Sequence, residues 1–203
     1  MRVIIAFICG LWAVNVAPAF AETPYLSAFQ SGARATYDSR DNAKAFGREV
    51  TFQYPANWQI GEAARPHIVQ KAIANDGSNS QCLLSIVVSD DLHKADIAKL
   101  ATDKTQMPML APNGATVISA TPGKLGTWPA AELVLAMPTK SADGATVYTH
   151  SINYFTGFEK TFVIFQCVTT GLTPEEASTK FDQYIPLFRA ISGTVVIHEL
   201  GAE

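Results

Sequence analysis

Five polar residues near the middle of the chain form its densest group of side chains that could do chemistry: Ser89, Asp90, Asp91, His93 and Asp96. Clustered carboxylates can bind a cation, and a carboxylate beside a histidine can serve acid–base catalysis. The same residues precede an apolar spacing typical of a short amphipathic helix. At the start of such a helix, acids cap free amides and interact favourably with the helix dipole. The pattern therefore favours a capped helix over a metal or catalytic site.

The rest of the chain offers few other chemical motifs. Its four histidines are scattered, and the sequence contains no G-x-S-x-G, H-E-x-x-H, P-loop or G-x-G-x-x-G pattern. The sequence therefore predicts no enzyme, no metal and no cofactor. Two alternatives stay open: a metal site that the fold assembles from the histidines His67, His93, His150 and His198, and an enzyme built from dispersed residues such as Asp90, Asp91 and His93.

The first 21 residues have the three parts of a secretory signal peptide. Arg2 precedes an apolar run from Val3 to Val14, and Ala19-Phe20-Ala21 ends the segment with small residues. The alternatives are an uncleaved membrane anchor and a lipidated Cys9. The apolar run of about 12 residues argues against the anchor, because roughly 20 residues are needed to span a bilayer. Cleavage after Ala21 is predicted, which gives a secreted or, in a Gram-negative host, periplasmic protein without a transmembrane span.

Removal of this leader leaves two cysteines, Cys82 and Cys167. They share no C-x-x-C motif, and no second group of cysteines and histidines completes a zinc site. In an exported protein two such cysteines predict a structural disulfide. The alternative is a pair of buried free thiols.

The composition describes an ordinary globular protein with a lightly charged surface. Hydrophobic residues make up 48% of the chain and charged residues 16%. Without Arg2 of the leader, 14 basic residues remain against 18 acidic ones, a net charge of −4. A mildly acidic chain without Lys/Arg clusters lacks the electrostatic pattern of a nucleic-acid or anionic-lipid binder.

Periodicity predicts one α+β domain in which helices flank an antiparallel sheet. Residues 22–47 are predicted to be an irregular arm or short helix, and residues 48–203 the domain itself. A T-x-x-E capping box at Thr173 begins a C-terminal amphipathic helix that ends near Gly193. Alternating or continuous apolar runs predict strands at 48–54, 58–60, 67–74, 81–88, 115–120, 130–137, 145–155, 159–169 and 194–197.

Aromatic residues provide two further candidate sites. Trp58 and Trp128 lie beside prolines in turn-like contexts, which suits either an exposed docking surface or a buried end of the sheet. One face of a predicted strand is largely aromatic, which favours a sheet face covered by a helix over a cofactor contact: Tyr148, His150, Ile152 and Tyr154.

The segment Phe52-Gln53-Tyr54-Pro55-Ala56-Asn57-Trp58 resembles the YPxxW opening of the PsbP-like superfamily, which includes PsbP and DcrB-type bacterial envelope proteins. The order of the later elements is also similar, so the resemblance covers roughly residues 48–197. It implies an α/β/α sandwich around an antiparallel sheet and a protein that works by docking to another molecule. The family has no shared catalytic motif to carry over, and the two cysteines match no general pattern within it.

These observations together predict an exported, non-enzymatic adaptor or assembly protein of the cell envelope, with an envelope protein as its partner. The alternative is a small-ligand or lipid-binding module with a pocket between sheet and helix. A hydrolase with dispersed site residues is the third hypothesis.

Overall fold

The computed structural model describes residues 23–61, 63, 65–90, 99–141, 144–158 and 160–198. Two sheets dominate it, and every strand pair in the described chain is antiparallel. The signal peptide and most of the predicted helix after Ser89 lie outside the described residues; residues 99–102 are helical.

Seven strands form the larger sheet, in the order β3-β4-β5-β9-β8-β7-β6. A smaller sheet has the order β1-β2-β10. The strands are β1 (Arg34–Asp38), β2 (Glu49–Pro55), β3 (Gln59–Gly61), β4 (Ile68–Ile73), β5 (Gln81–Val88), β6 (Thr116–Leu125), β7 (Trp128–Lys140), β8 (Thr146–Phe158), β9 (Thr161–Gly171) and β10 (Val196–His198).

The two faces of the seven-stranded sheet differ in what covers them. On the helix-covered face, Leu84 of β5, Phe165 of β9 and Ile152 of β8 are buried in one core with residues of the small sheet and of helix α2 (Pro174–Ser192). Phe165 packs edge to face on Phe52 of β2, with 5.2 Å between ring centroids. This face therefore joins the two sheets and the long helix.

The opposite face, called here the groove face, carries the side chains that alternate with those residues. A second apolar cluster on it includes Leu133, Leu135 and Phe155. A 3₁₀ helix at Met107–Leu110 packs on this cluster through the buried Met107. Because β7, β8 and β9 are buried on both faces over part of their length, they contain long, nearly continuous apolar runs.

Helix α2 begins as its sequence predicts. The hydroxyl of Thr173 accepts a hydrogen bond from the Glu176 N–H at 3.1 Å. The Glu176 carboxylate accepts the N–H of Leu172 at 2.8 Å, one residue before the amide that the capping box predicted. The side chain thus satisfies a main-chain donor just before the helix, where no intrahelical acceptor exists.

Residues before 48 form more regular structure than the predicted arm. The short helix is present as α1 (Pro24–Gln30), and its Leu26 and Phe29 are buried in the core. Strand β1 was missed because it alternates between half-buried and exposed positions, with charged residues at both ends. It is held by pairing with β2, where the Tyr37 and Phe52 rings lie 5.4 Å apart.

The predicted fold class is thus confirmed in its coarser form, as helices together with a mostly antiparallel sheet. The full α/β/α layering stays a prediction. Within the described residues, no helix combines the length and apolar character needed to cross a membrane.

Candidate ligand-binding groove

A groove of about 300 Å³ lies on the groove face, between the strands and a covering segment made of the end of the 3₁₀ helix and the residues after it. This volume lies at the lower end of the range for small-molecule sites. Apolar side chains line it on the sheet side and on the covering segment: Ile68, Ile164, Phe155, Leu110 and Pro112.

Polar side chains from three neighbouring strands form the floor of the groove. Ser85 of β5, Gln166 of β9 and Asn153 of β8 all line it, and Gln166 and Asn153 are direct partners across the β8–β9 ladder. Ser85 is 8% exposed and Asn153 is 3% exposed. Polar groups this deeply buried are normally hydrogen-bonded in proteins.

The hydrogen bonds of these side chains leave part of their capacity unused. Asn153 donates through Nδ2 to the Leu133 carbonyl at 3.3 Å and to the Ser151 hydroxyl at 2.9 Å. Among the described residues, nothing donates to its Oδ1, and neither the Ser85 hydroxyl nor the Gln166 amide has a partner. The floor can therefore both donate hydrogen bonds to a bound molecule and accept them from it.

The β4 end of the groove is basic. Arg65 and His67 precede β4, line the groove and are exposed. Arg65 makes no ion pair with any described residue, and none of the described residues lining the groove is an aspartate or glutamate. His67 is anchored through its main chain, since its carbonyl accepts the Ile86 N–H at 3.0 Å.

The predicted disulfide between Cys82 and Cys167 is present. The two residues are direct partners in the β5–β9 ladder, and both are fully buried on the helix-covered face. Because β5 and β9 join the β3-β4-β5 part of the sheet to the β9-β8-β7-β6 part, the bond crosslinks two distant stretches of the chain. It lies on the opposite face from the groove and contributes no group to it.

The two tryptophans proposed for docking differ in exposure. Trp58 is 4% exposed. Of the two alternatives, an exposed docking surface and a buried end of the sheet, its position therefore fits the buried one. It is buried because Tyr25 of α1 and Tyr184 of α2 both pack against its ring. Trp128 is half-buried and packs against Phe158 at 5.5 Å. A docking role for Trp128 stays a prediction.

The polar group after β5 is described only in part, since Asp91, His93 and Asp96 lie outside the described residues. Asp90 is exposed and pairs with Lys160, with 2.5 Å from Oδ1 to Nζ. This lysine holds the pKa of the Asp90 carboxyl below its usual range. In the part of the chain that the structure describes, no three histidine, cysteine or acidic side chains are grouped as a metal site.

The aromatic face of β8 is covered by α2. The ring of His150 lies 5.8 Å from Phe181, and this burial lowers the pKa of His150. Burial likewise raises the pKa of Tyr154 to about 12. A small cleft of about 110 Å³ lies at the edge of this face, beside Tyr148 and His150.

The residues of the groove floor were not among the predicted site residues. The apolar runs at 81–88, 145–155 and 159–169 were predicted only to be strands. The available signal was a polar residue with apolar neighbours in each strand: Ser85, Asn153 and Gln166. Only the strand order and register place Gln166 opposite Asn153 and Ser85 on the next strand.

Comparison with known proteins gives structural similarities only. No family model matches the chain, and no curated protein matches it significantly. Similar solved structures include the cyanobacterial PsbP of Synechocystis, with a TM-score of 0.46 and 12% identity over 82% of this chain and 93% of that one. A PsbP is thus among the structures that this chain resembles, in agreement with the resemblance predicted from the sequence.

Two other similar structures come from different organisms. LpqN of Mycobacterium tuberculosis, involved in cell envelope biogenesis, has a TM-score of 0.45 and 14% identity over 90% of this chain and 100% of that one. The Ran-binding protein Mog1p of Saccharomyces cerevisiae has a TM-score of 0.49 and 10% identity over 81% of this chain and 95% of that one.

Proposed function

We propose that this chain is an exported, non-enzymatic binding protein of the cell envelope, and that its ligand lies in the groove. The observation that carries the proposal is the floor, where the buried Ser85 and Asn153 retain hydrogen-bonding capacity that no described residue uses. A molecule in the groove could satisfy these groups and contact the apolar walls at the same time.

Export is supported by two features of the chain. The first 21 residues have the pattern of a signal peptide, and the two remaining cysteines form a disulfide. Structural disulfides are typical of extracytoplasmic proteins. The test is the intact mass of the protein purified from its host, which should begin at or within a few residues of Glu22. A mature mass that retains the leader would contradict cleavage.

The chemistry of the groove suits binding better than catalysis. Among the described residues that line the groove, Ser85 alone bears a hydroxyl, and no hydrogen bond joins it to His67, although the structure describes both. A serine nucleophile needs such a base to activate it. The amides of Asn153 and Gln166 provide hydrogen bonds without titrating, and the remaining walls are apolar.

Native mass spectrometry of protein purified without denaturation tests whether the groove is occupied. We expect a co-purifying mass on the wild-type chain and its loss from Ser85→Leu, which places a larger apolar side chain on the floor. Ser31→Leu, an exposed position before β1, is the matched control and should retain the mass. A wild-type spectrum that shows only the protein, with or without water, would contradict small-ligand binding.

A protein partner is the second candidate. The 3₁₀ helix packs against β6, and each of these elements has a large exposed apolar side chain: Met109 is 78% exposed and Ile118 is 53% exposed. Crosslinking in envelope extract should recover one partner with wild-type protein and less with Met109→Asp/Ile118→Asp. Trp128→Ala tests the predicted docking tryptophan in the same assay. Equal recovery with all variants would contradict docking at these side chains.

A further inference from the structure

We propose that the groove binds an elongated carboxylate amphiphile with an amide between the carboxylate and an apolar chain, such as an N-acylated amino acid. This inference rests on the proposed function and adds the class of the ligand. It follows from the basic side chains at the β4 end of the groove and from the polar and apolar side chains that lie next to each other on β5, β9 and β8.

The groove crosses the strands of the sheet. Arg65 and His67 lie at its β4 end, Ser85 and Gln166 come from β5 and β9, and Phe155 comes from β8. Neighbouring strands are about 4.8 Å apart, so the three steps from β4 to β8 span roughly 14 Å. A ligand that contacts both ends must therefore be elongated.

The basic end is suited to a carboxylate. Arg65 has no ion pair among the described residues, and no described acidic side chain lines the groove. A guanidinium presents paired N–H donors that match the two oxygens of a carboxylate. Because no described acidic side chain opposes Arg65, an anion at this end gains an attraction that a neutral group does not.

The part of the groove over β5 and β9 is suited to an amide. The Ser85 hydroxyl can donate to a ligand carbonyl, and the Gln166 side chain on the adjacent strand can accept the ligand N–H. A plain hydrocarbon here would leave these polar groups without partners, which costs binding free energy.

The part of the groove over β9 and β8 also has an apolar row, which is suited to an acyl chain. Phe155 and Ile164 are neighbours across the β8–β9 ladder, in the row next to Asn153 and Gln166, and Leu110 of the 3₁₀ helix also lines the groove. The Phe155 ring is stacked on Phe162 with 6.0 Å between centroids, which holds its position. An acyl chain here would bury apolar surface on both sides.

The inference is tested by calorimetric titration of the mature protein with N-octanoylglycine, after removal of any co-purified ligand. We expect saturable binding that weakens about tenfold for the neutral N-octanoylglycine methyl ester, since the ester cannot form the charged pair with Arg65. Octanoate, which lacks the amide, should also bind more weakly. Inorganic phosphate alone should not bind.

Two variants assign these effects to the groove. Arg65→Gln should weaken binding of the acid about tenfold and leave binding of the ester unchanged. Arg40→Gln, an exposed arginine after β1, is the matched control and should change neither. Ser85→Val removes the floor hydroxyl, which makes no hydrogen bond to a described residue, and should weaken binding of both ligands without lowering the unfolding midpoint.

The possible failures separate the two proposals. If acid and ester bind equally, or if Arg65→Gln weakens neither, the carboxylate assignment is overturned. If the acid does not bind while native mass spectrometry shows a co-purifying mass that Ser85→Leu removes, the ligand class is wrong and the groove remains the binding site. Absence of both signals contradicts the ligand class and the groove together.

Discussion

The two faces of the seven-stranded sheet are built from alternating residues of the same strands, yet they have different compositions. On the helix-covered face, β5 and β9 contribute Leu84, Phe165 and a buried disulfide, all packed beneath α2 and the small sheet. On the groove face, the intervening positions of those strands include Ser85 and Gln166. The disulfide and the main core lie on the first face, and the binding proposed for this chain lies on the second.

Polar residues inside the apolar strands occur on both faces, but they have different surroundings. On the helix-covered face, the hydroxyls of Thr156 and Thr169 each donate to a main-chain carbonyl. The buried Thr161 hydroxyl of that face has no described partner, which costs free energy. On the groove face, Ser85 borders a cavity that can hold a ligand. Variants of adjacent residues in one strand therefore test the division directly.

The largest expected effect concerns the disulfide. Cys82→Ala/Cys167→Ala should lower the free energy of unfolding by about 4–5 kcal/mol, because the bond closes a loop with a sequence separation of 85 residues. Urea titration measures the loss. Ser85→Ala, on the other face of the same strand, is the control and should leave the urea midpoint close to that of wild type. A double alanine variant as stable as wild type would refute the assignment of stability to this face.

The next prediction compares two phenylalanines of β9. Phe165 is fully buried on the helix-covered face, and Phe165→Ala should cost about 3–4 kcal/mol of unfolding free energy. Phe162 is half-buried on the groove face, where it stacks on Phe155, and Phe162→Ala should cost about 1–2 kcal/mol. Thermal and urea unfolding of both variants measure the difference. Equal costs would mean that the groove face contributes as much to the core as the other face.

A smaller effect separates a serine on the groove floor from one with a hydrogen-bond partner. Ser192→Ala should lose about 1 kcal/mol, because its buried hydroxyl donates to the Arg189 carbonyl at 3.0 Å. Ser85→Ala should lose nothing and can gain stability, since its hydroxyl has no described partner in the protein. Urea titration compares them. A loss at Ser85 similar to that at Ser192 would show that this hydroxyl serves the fold instead of a ligand.

Much of the fold follows from local patterns in the sequence. Strand β5 has the predicted bounds, residues 81–88, and α2 begins at the predicted Thr173 cap. Both are encoded locally, by β-branched and apolar runs in the first case and by side-chain capping in the second. Strand β1 was missed because its stability comes from pairing with β2, a contact that its own residues do not reveal.

The candidate site was less accessible to sequence reasoning. The cysteines could be paired because only two remained, but the pairing of β5 with β9 depends on long-range packing. Without that pairing, Ser85 and Gln166 are isolated polar residues in different segments. The burial of Trp58 could not be predicted from the sequence for the same reason, since it depends on contacts with Tyr25 and Tyr184, which are distant in sequence.

The smallest predicted effect is a dependence of stability on pH at the helix-covered side. The Asp76 carboxylate, in the β4–β5 turn, accepts hydrogen bonds from the Tyr184 hydroxyl of α2 and from the Ser78 N–H. Burial alone would raise the pKa of Asp76, but hydrogen bonds from Ser78 and Tyr184 outweigh it and hold this pKa below its ordinary value. The ionised carboxylate thus helps attach the turn to the helix.

The pKa of Asp76 is lower in the folded state than in the unfolded state, so ionisation of this carboxyl stabilises the fold. This contribution is complete above the unfolded-state pKa and is lost as the pH falls through the folded-state pKa. Between roughly pH 5 and pH 2, wild-type protein should therefore lose more stability than Asp76→Asn, by no more than about 1 kcal/mol because Asp76 is exposed. Urea midpoints measured across this range test the prediction. Tyr184→Phe keeps the carboxylate but removes one donor, so its acid sensitivity should fall between the other two. Identical pH profiles for all three proteins would mean that the turn is held to α2 by packing alone.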